Sequence, residues 1–407
     1  MQVKVIDYLS GKIEHQLVIR DMELSLLNIL PAIIIFQLLL LIVFLLSSAK
    51  GKKLSNRILA FFFLWLALNL SDGVLSYFGF YEHHPAVAHL EDGFILLVGP
   101  LLYFYTLSMV YKDFAFTKYH AIHLLPFILI TAAYQIYYHV QPVGYQKVIQ
   151  NAIAQQQLPP LFYIAISIIY LQVGVYFFCA ITEVHRYRIK IKDQFSSVYK
   201  INLDWLAFML WSVLILFLIS AVYTYLPATG LRRAFEESIM VPFIFIFIFT
   251  NAVVWKGLKQ PEIFSGIEYP EKDEKKYSGS VLTEGEKTQI LHRLEHAVRD
   301  QRPYLQSDLS IDQLAETINT SAKRLSQVIN TTYQQNFFDF INTLRIGEAK
   351  RIMKESRDPK LTVLEVMYQS GFNSKSSFNS IFRKKTGLTP SEFRRATQKA
   401  TDSQINH

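Results

Sequence analysis

The sequence predicts an all-α protein: a seven-helix transmembrane bundle followed by an all-α domain in which one long helix joins two helix-turn-helix units. Three observations predict it. Long uncharged apolar runs fill the chain up to about Trp255 and stop there. Hydrophobic residues make up 51% of the 407 residues and charged ones only 18%, against about 25% charged in an average soluble domain. Beyond residue 284 the pattern changes to apolar residues three and four apart among charges, the period of amphipathic helices. This composition excludes a disordered chain and a collagen-like fibre. A solitary Cys179 leaves no intrachain disulfide framework and no multi-cysteine zinc site, so neither a metal nor a cofactor is expected.

A hydrocarbon core of about 30 Å needs about 20 apolar helical residues to cross it. Seven stretches qualify: Leu26–Leu46, Ile58–Phe80, Gly93–Tyr111, Ala121–Val140, Leu161–Thr182, Trp205–Leu226 and Ser238–Trp255. The fourth is the most polar, with Tyr134, Gln135, Tyr137 and Tyr138. Orientation follows from Lys and Arg in the short loops. One side holds thirteen, from Lys50 to Lys259, with the densest group at Arg186, Arg188, Lys190, Lys192 and Lys200; the other holds six. The first side is therefore expected in the cytoplasm, with the N-terminus outside and everything after Trp255 inside. The first twenty residues are too polar for a cleavable signal peptide, so the first span is expected to serve as the insertion signal. Pro31, Pro100, Pro126 and Pro242 are candidates for kinks that open a cavity between spans. The last span carries no lysine for a Schiff base, which removes a retinal protein.

Polar residues within spans are expensive and draw attention as functional candidates. Asp72, with Asn69 and Ser71 beside it, is the foremost; the alternative is a helix–helix hydrogen bond near the outer interface. Gln37, Gln135, Gln172 and Asn251 read as bonds between helices. The loop Tyr81–Asp92 crowds His83, His84 and His89 with Glu82, Glu91 and Asp92. Histidines among carboxylates suit a proton switch or a divalent ion, but Pro85 interrupts any simple helical ligand face, and interfacial polarity is the plainer reading. Asp72, Asn69, His83, His84 and His89 are the candidate sensing residues, for a small-molecule or envelope-derived ligand.

Residues 256–284 read as a charged tether punctuated by Gly257, Pro261, Gly266, Pro270 and Gly279. The expected domains are a membrane domain at 1–255, this linker, a helical domain at 285–398 and a tail at 399–407. From Glu284 onward there are 19 Lys and Arg against 14 Asp and Glu, so the last third carries most of the chain's net charge of +8. That excess suggests an anionic partner.

In the segment 309–329, Ile311, Leu314, Ala315 and Ile318 keep helical spacing, and Leu325, Val328 and Ile329 resume it after Asn319-Thr320. Asn319 tolerates the left-handed conformation of a sharp turn, and Ser321 suits an N-cap. The same grammar returns at 364–382, where Gly371 supplies the turn, Ser374 the cap, and Phe378, Ile381 and Phe382 the buried stripe. Phe337–Lys354 between them reads as one long helix. Two such units on one strut suit major-groove segments about 34 Å apart.

The motif Asn342-x-x-Arg345-Ile346-x-x-Ala349, followed by Gly371-Phe372-Asn373-Ser374 and continuing through Phe378, Phe382-Arg383-Lys384-Lys385, Gly387, Thr389-Pro390 and Phe393-Arg394, resembles the signature of AraC-type DNA-binding domains. The resemblance covers roughly residues 285–397. Joined to the apolar half, it resembles the membrane-embedded AraC-type regulators of Bacteroidetes-like bacteria. It implies a one-component sensor in the inner (cytoplasmic) membrane whose cytoplasmic domain binds double-stranded promoter DNA, with a homodimer as a further possibility. Three residues depart from the pattern: Met367 where alanine is usual, Ser380 where arginine is frequent, and Gly347 inside the strut.

Helical position exposes Ala322, Lys323, Ser326 and Gln327 in the first recognition helix, and Lys375, Ser376, Ser377, Asn379 and Ser380 in the second. The family's base-reading positions fall on these residues. The amides of Gln327 and Asn379 suit adenine, while Lys323 and Lys375 suit guanine or phosphate. Arg383, Lys384 and Lys385 add a phosphate-binding footprint. Phe372, Phe378, Phe382 and Phe393 are core by spacing. The alternative is an integral-membrane transporter or enzyme whose helical domain docks a protein. The sequence shows no P-loop, HExxH, GxSxG or kinase signature and no repeat among the spans, so an enzyme is not expected.

Overall fold

The computed structural model describes residues 29–48, 53–111, 113–154, 159–198, 201–229, 231, 238, 240–259, 282–356, 358 and 361–405. The first 28 residues and most of the tether, at 260–281, therefore lie outside the described residues, as do Lys50, Lys52, Lys112, Lys200, Arg232 and Arg233 of the loops. The chain divides into two compact units, Met1–Val184 with Asp204–Tyr269, and His185–Leu203 with Pro270–His407. Residues 185–203, which sequence alone leaves with the apolar half, are grouped with the C-terminal domain.

The first unit is built from α1 (Ile29–Ser47), α2 (Lys53–Tyr77), the single turn α3 (Phe80–His83), α4 (Ile95–Val110), α5 (Leu125–His139), α6 (Val143–Ala154), α7 (Pro160–Gln194, shared with the second unit), α8 (Asp204–Tyr225) and α9 (Met240–Lys259). Among the described residues, six helical segments are long and apolar enough to cross a membrane: Ile29–Ser47, Lys53–Ser76, Pro85–Val110, Lys118–His139, Pro160–Gln194 and Asp204–Tyr225. The described apolar part of α9, Met240–Trp255, is shorter, about 24 Å at 1.5 Å per residue. The helices α2 and α4 pack together, and Phe62, Phe63 and Leu66 of the one and Val98 and Leu102 of the other are buried. Phe36, Val43, Leu171, Phe178 and Leu218 stand exposed instead, a distribution that water penalises and hydrocarbon does not.

Of the prolines expected to kink spans, Pro100 lies inside its helix. Pro126 falls in the first turn of α5, where the missing N–H has no partner to lose. Polar residues in this unit do tie helices together. Thr250 donates to Gln37 Oε1 at 3.0 Å, and Gln172 donates to the Leu96 carbonyl at 3.2 Å. Asn251 instead bonds back to Phe247 in its own helix.

In the second unit, α10 (Glu284–Asp300), α11 (Ile311–Thr317), α12 (Ala322–Tyr333), α13 (Phe337–Glu355), α14 (Val363–Gln369), α15 (Lys375–Thr386) and α16 (Pro390–Ile405) form two small lobes. The strut α13 belongs to both. Phe337, Phe340 and Ile341 enter the first core, with Leu294, Leu314, Leu325 and Ile329. Ile346, Ala349 and Met353 enter the second, with Val366, Met367, Phe372, Phe378 and Phe382. Met367 is therefore accommodated as a buried core side chain, 1% exposed. Gly347 faces solvent and costs the strut only its helix propensity. Among the described residues there is no strand, only an isolated antiparallel bridge between Phe195 and Ser310.

Candidate nucleic-acid interface

Each recognition helix is positioned by its turn and its cap. Asn319 sits at φ 50° between α11 and α12, and Gly371 at φ 86° between α14 and α15. Asn is among the few side chains tolerated in this region, and glycine enters it freely. Ser321 Oγ accepts from the Arg324 amide and Ser374 Oγ from the Ser377 amide, both at 3.4 Å, which starts each recognition helix at the expected residue. The preceding helices carry reciprocal caps, Ser310 with Gln313 and Thr362 with Glu365. Leu325, Val328 and Ile329 bury one face of α12, and Phe378 and Phe382 one face of α15.

The opposite faces present the candidate contacts. Lys323 and Gln327 are exposed on α12, and Ser326 is half-buried, accepting from Asn330 Nδ2 at 3.4 Å. Lys375, Ser376, Asn379 and Ser380 are exposed on α15, with Ser377 half-buried. The Ser376 hydroxyl lies 3.1 Å from the capping Ser374 Oγ. Arg383, Lys384 and Lys385 are exposed too, but they occupy the last turn of α15. There they complement the helix dipole and lie about 12 Å or more along the helix from Lys375. Base reading belongs to the N-terminal part of a recognition helix, so this basic trio suits phosphate alone. The one acid among these cations, Glu392, accepts from the Thr389 amide and hydroxyl at 2.8 Å each. Those bonds hold its carboxyl below the ordinary range, so it stays charged as a cap.

Between the two cores the strut turns polar at Asn342 and Arg345, each 1% exposed. Arg345 Nε donates to the Tyr304 carbonyl at 2.7 Å, Nη1 to that of Ser196 at 3.2 Å, and Nη2 to those of Gln306 and Ser307 at 2.7 and 3.1 Å. Nη2 also reaches Ser196 Oγ at 3.0 Å, and the guanidinium lies 5.7 Å from the centre of the Phe372 ring. Burial pushes Arg345 down to about 10 while the Asp308 charge opposes that shift, so the group remains a cation at neutral pH. Arg345 is legible as part of the AraC-type motif, but Ser196, a serine in a loop more than a hundred residues earlier, carries no signal in the sequence.

The sensing candidates of the first unit divide. Asn69 donates to Glu91 Oε1 at 3.0 Å, Asp72 accepts from the Tyr81 hydroxyl, and His89 Nδ1 meets Asp92 Oδ2 at 3.0 Å. The carboxylates of Asp72, Glu91 and Asp92 each place an oxygen within 4.8 Å of the others. Gln135 donates to the His89 carbonyl at 2.6 Å, which brings α5 to the same place. His83 and His84 are exposed, His84 packing on the Phe80 ring at 4.6 Å, and neither is among the residues of this cluster. Asp72, Asn69 and His89 therefore share one polar cluster with Glu91, Asp92 and Tyr81. Adjacency in the loop groups all three histidines, whereas His89, at φ 63°, meets Asp92 and Gln135 instead.

Residues 314–396 match the family model described as a helix-turn-helix domain. A protein of Staphylococcus aureus (strain COL), named an uncharacterized HTH-type transcriptional regulator, is 30% identical over 101 residues, 25% of this chain and 13% of that protein. A Pseudoalteromonas carrageenovora protein with a name of the same kind is 29% identical over 89 residues, 22% of this chain and 51% of that protein. The chain thus spans between about an eighth and about half of these relatives, and the similarity is confined to its C-terminal part. A solved structure, the C-terminal domain of AraT, a response regulator from Geobacillus stearothermophilus, matches at 23% identity and a TM-score of 0.24, covering 29% of this chain and 88% of that one. The C-terminal part of the chain is a helix-turn-helix domain of the AraC type, as its motif implied.

Proposed function

We propose that the chain is a membrane-embedded one-component transcription regulator: α12 and α15 read promoter DNA in the cytoplasm, under the control of a stimulus sensed by the apolar bundle. The observation that carries this reading is the pairing of two capped helix-turn-helix units on one strut, each turning a polar and basic face outward. Gln327 and Asn379 serve as the base-reading amides, Lys323 and Lys375 reach guanine or phosphate, and Arg383, Lys384 and Lys385 hold the backbone. Ser326, Ser376, Ser377 and Ser380 supply short hydroxyl contacts. The names of the relatives support the regulatory role. A location in a bacterial inner membrane, with α9 as a seventh span beside the six long apolar helices and the N-terminus outside, is supported by those helices and by the excess of Lys and Arg on one set of loops. The stimulus acts at the Asn69, Asp72 and His89 cluster, and a homodimer doubles the DNA sequence read.

The experiment is selection of DNA from a sheared genomic library by the full chain in lipid nanodiscs, followed by salt titration of the winners. Enrichment of a motif with two half-sites about one helical turn apart is expected. Weak binding without a motif, lost as salt rises, would overturn sequence-specific recognition.

A further inference from the structure

The polar seam between the lobes is filled by a segment from elsewhere in the chain. Phe195 pairs with Ser310 in an antiparallel bridge, and the Ser196 amide donates to the Leu309 carbonyl at 3.1 Å. Ser196 Oγ donates to the same carbonyl at 2.7 Å, while the Ser196 carbonyl accepts from Asn342 Nδ2 at 3.1 Å and from Arg345. Ser197 Oγ donates to Asn373 Oδ1 at 3.4 Å, and Asn373 Nδ2 donates to Asp308 at 2.9 Å. One tripeptide thus touches the start of the first helix-turn-helix, the middle of the strut and the turn of the second. Ser196 is 1% exposed. Its neighbourhood is held in shape, because Tyr187 donates to the Ile201 carbonyl and Arg188 Nε to that of Asn202, both at 2.9 Å.

We propose that Phe195–Ser197 is an intrachain strap whose docking in the cleft between the lobes fixes the orientation of the two recognition helices, and so raises affinity for DNA. The cleft is built for an extended backbone: Leu309 offers a carbonyl, Asn342 Nδ2 adds a bond to Ser196 beside the one it makes to Phe338, and Arg345 Nη1 points to the Ser196 carbonyl. With the strap in place Gln327, Lys375, Asn379 and Ser380 remain exposed, so it does not cover the reading faces. Two half-site readers held in one geometry avoid the ordering cost that independent lobes would meet on binding. The strap begins one residue after the end of α7, so a movement of that helix end is delivered to the cleft through the chain itself. The inference rests on the DNA-binding reading above.

The test uses the full chain in nanodiscs with Cys179→Ser, Phe195→Cys and Ser310→Cys. The Ser196 to Leu309 bond beside the bridge marks Phe195 and Ser310 as a non-hydrogen-bonded pair, with Cα atoms about 4.5 Å apart, inside the range a disulfide spans. Mild oxidation is expected to close it. Adding Ser196→Pro, which removes the amide and hydroxyl donors to Leu309 and the hydroxyl that accepts from Arg345, should slow closure by about tenfold or more, the least expected for three lost hydrogen bonds. The oxidised chain should bind its selected DNA about tenfold more tightly than the reduced one, with Ser310→Cys alone as the control for loss of the cap. Ser196→Ala, which keeps the amide, should fall between. Failure of the disulfide to close, or closure as fast with Ser196→Pro, overturns the docking. Equal or weaker DNA binding after oxidation overturns the effect on affinity. A chain that closes the disulfide yet selects no DNA sequence removes the DNA-binding reading, and the effect on affinity with it, while the docking stands.

Discussion

Gly371→Ala isolates the contact that holds the second lobe against the first. At φ 86° a Cβ on residue 371 would lie 2.6 Å from the Tyr304 carbonyl oxygen and 2.9 Å from both Cα and O of Leu305. Those are backbone atoms of the turn that also feeds its carbonyls to Arg345, so no flexible side-chain end can give way. Ordinary contact begins near 3.4 Å, and the turn must therefore retreat by about 0.5–0.8 Å, which as overpacking costs about 1–3 kcal/mol. The left-handed backbone adds about 1–2 kcal/mol for a residue with a Cβ, for a total of about 2–5 kcal/mol. Gly387→Ala is the internal reference. It sits at φ 79° with nothing within 4 Å of the added carbon, so only the backbone cost of about 1–2 kcal/mol remains. Hydrogen exchange of α13–α15 peptides in the full chain reads both as opening free energies. Gly371→Ala should raise exchange by about tenfold more than Gly387→Ala, at 1.4 kcal/mol per factor of ten. Equal exchange in the two variants would refute the close approach.

Gly347→Ala should stabilise the strut by about 1 kcal/mol, because the glycine is exposed, helical and has nothing within 4 Å of a Cβ; slower exchange across 340–355 checks it. Asn379→Ala should cost about 1–3 kcal/mol of DNA binding at one base position, whereas Lys384→Ala should weaken all sequences alike and lower the salt slope by about one. Competition against single-base variants at several salt concentrations separates the two. Glu286, Glu365 and Glu392 each accept bonds from the N-cap threonine, which hold their carboxyls below the ordinary 4.5. A lowered folded value means stability that is complete above about pH 4.5 and is lost as the pH falls through that lowered value. The stability gap between the wild type and the triple variant Thr283→Ala, Thr362→Ala, Thr389→Ala should therefore shrink on acidification; a gap constant from pH 7 to 3 contradicts this.

Much of the second unit was legible because its signals are local. Ser321, Ser374, Asn319 and Gly371 announce caps and turns through their own chemistry, and the four phenylalanines lie in or against the core as their spacing required. The strut was legible within a residue, Phe337–Lys354 against an observed Phe337–Glu355. The sensing loop was less legible, since crowding along the chain grouped His83 and His84 with His89. The apolar half was readable as spans, six of which are long and apolar enough among the described residues, with Met240–Trp255 as a shorter apolar helix.

The sequence by itself determined what repeats every three to four residues or sits in a single turn: the helices, their caps, the apolar runs, and the polar faces of α12 and α15. Periodicity and capping are properties of neighbours in the chain, so one chain suffices to read them. Only the tertiary structure decided that Arg345 closes a seam between two cores, and that Ser196 fills it from more than a hundred residues away. The physical reason is that a buried guanidinium requires acceptors from whatever backbone packing brings to it. Backbone carbonyls and amides are the same in every residue, so no pattern of side chains records which of them will arrive.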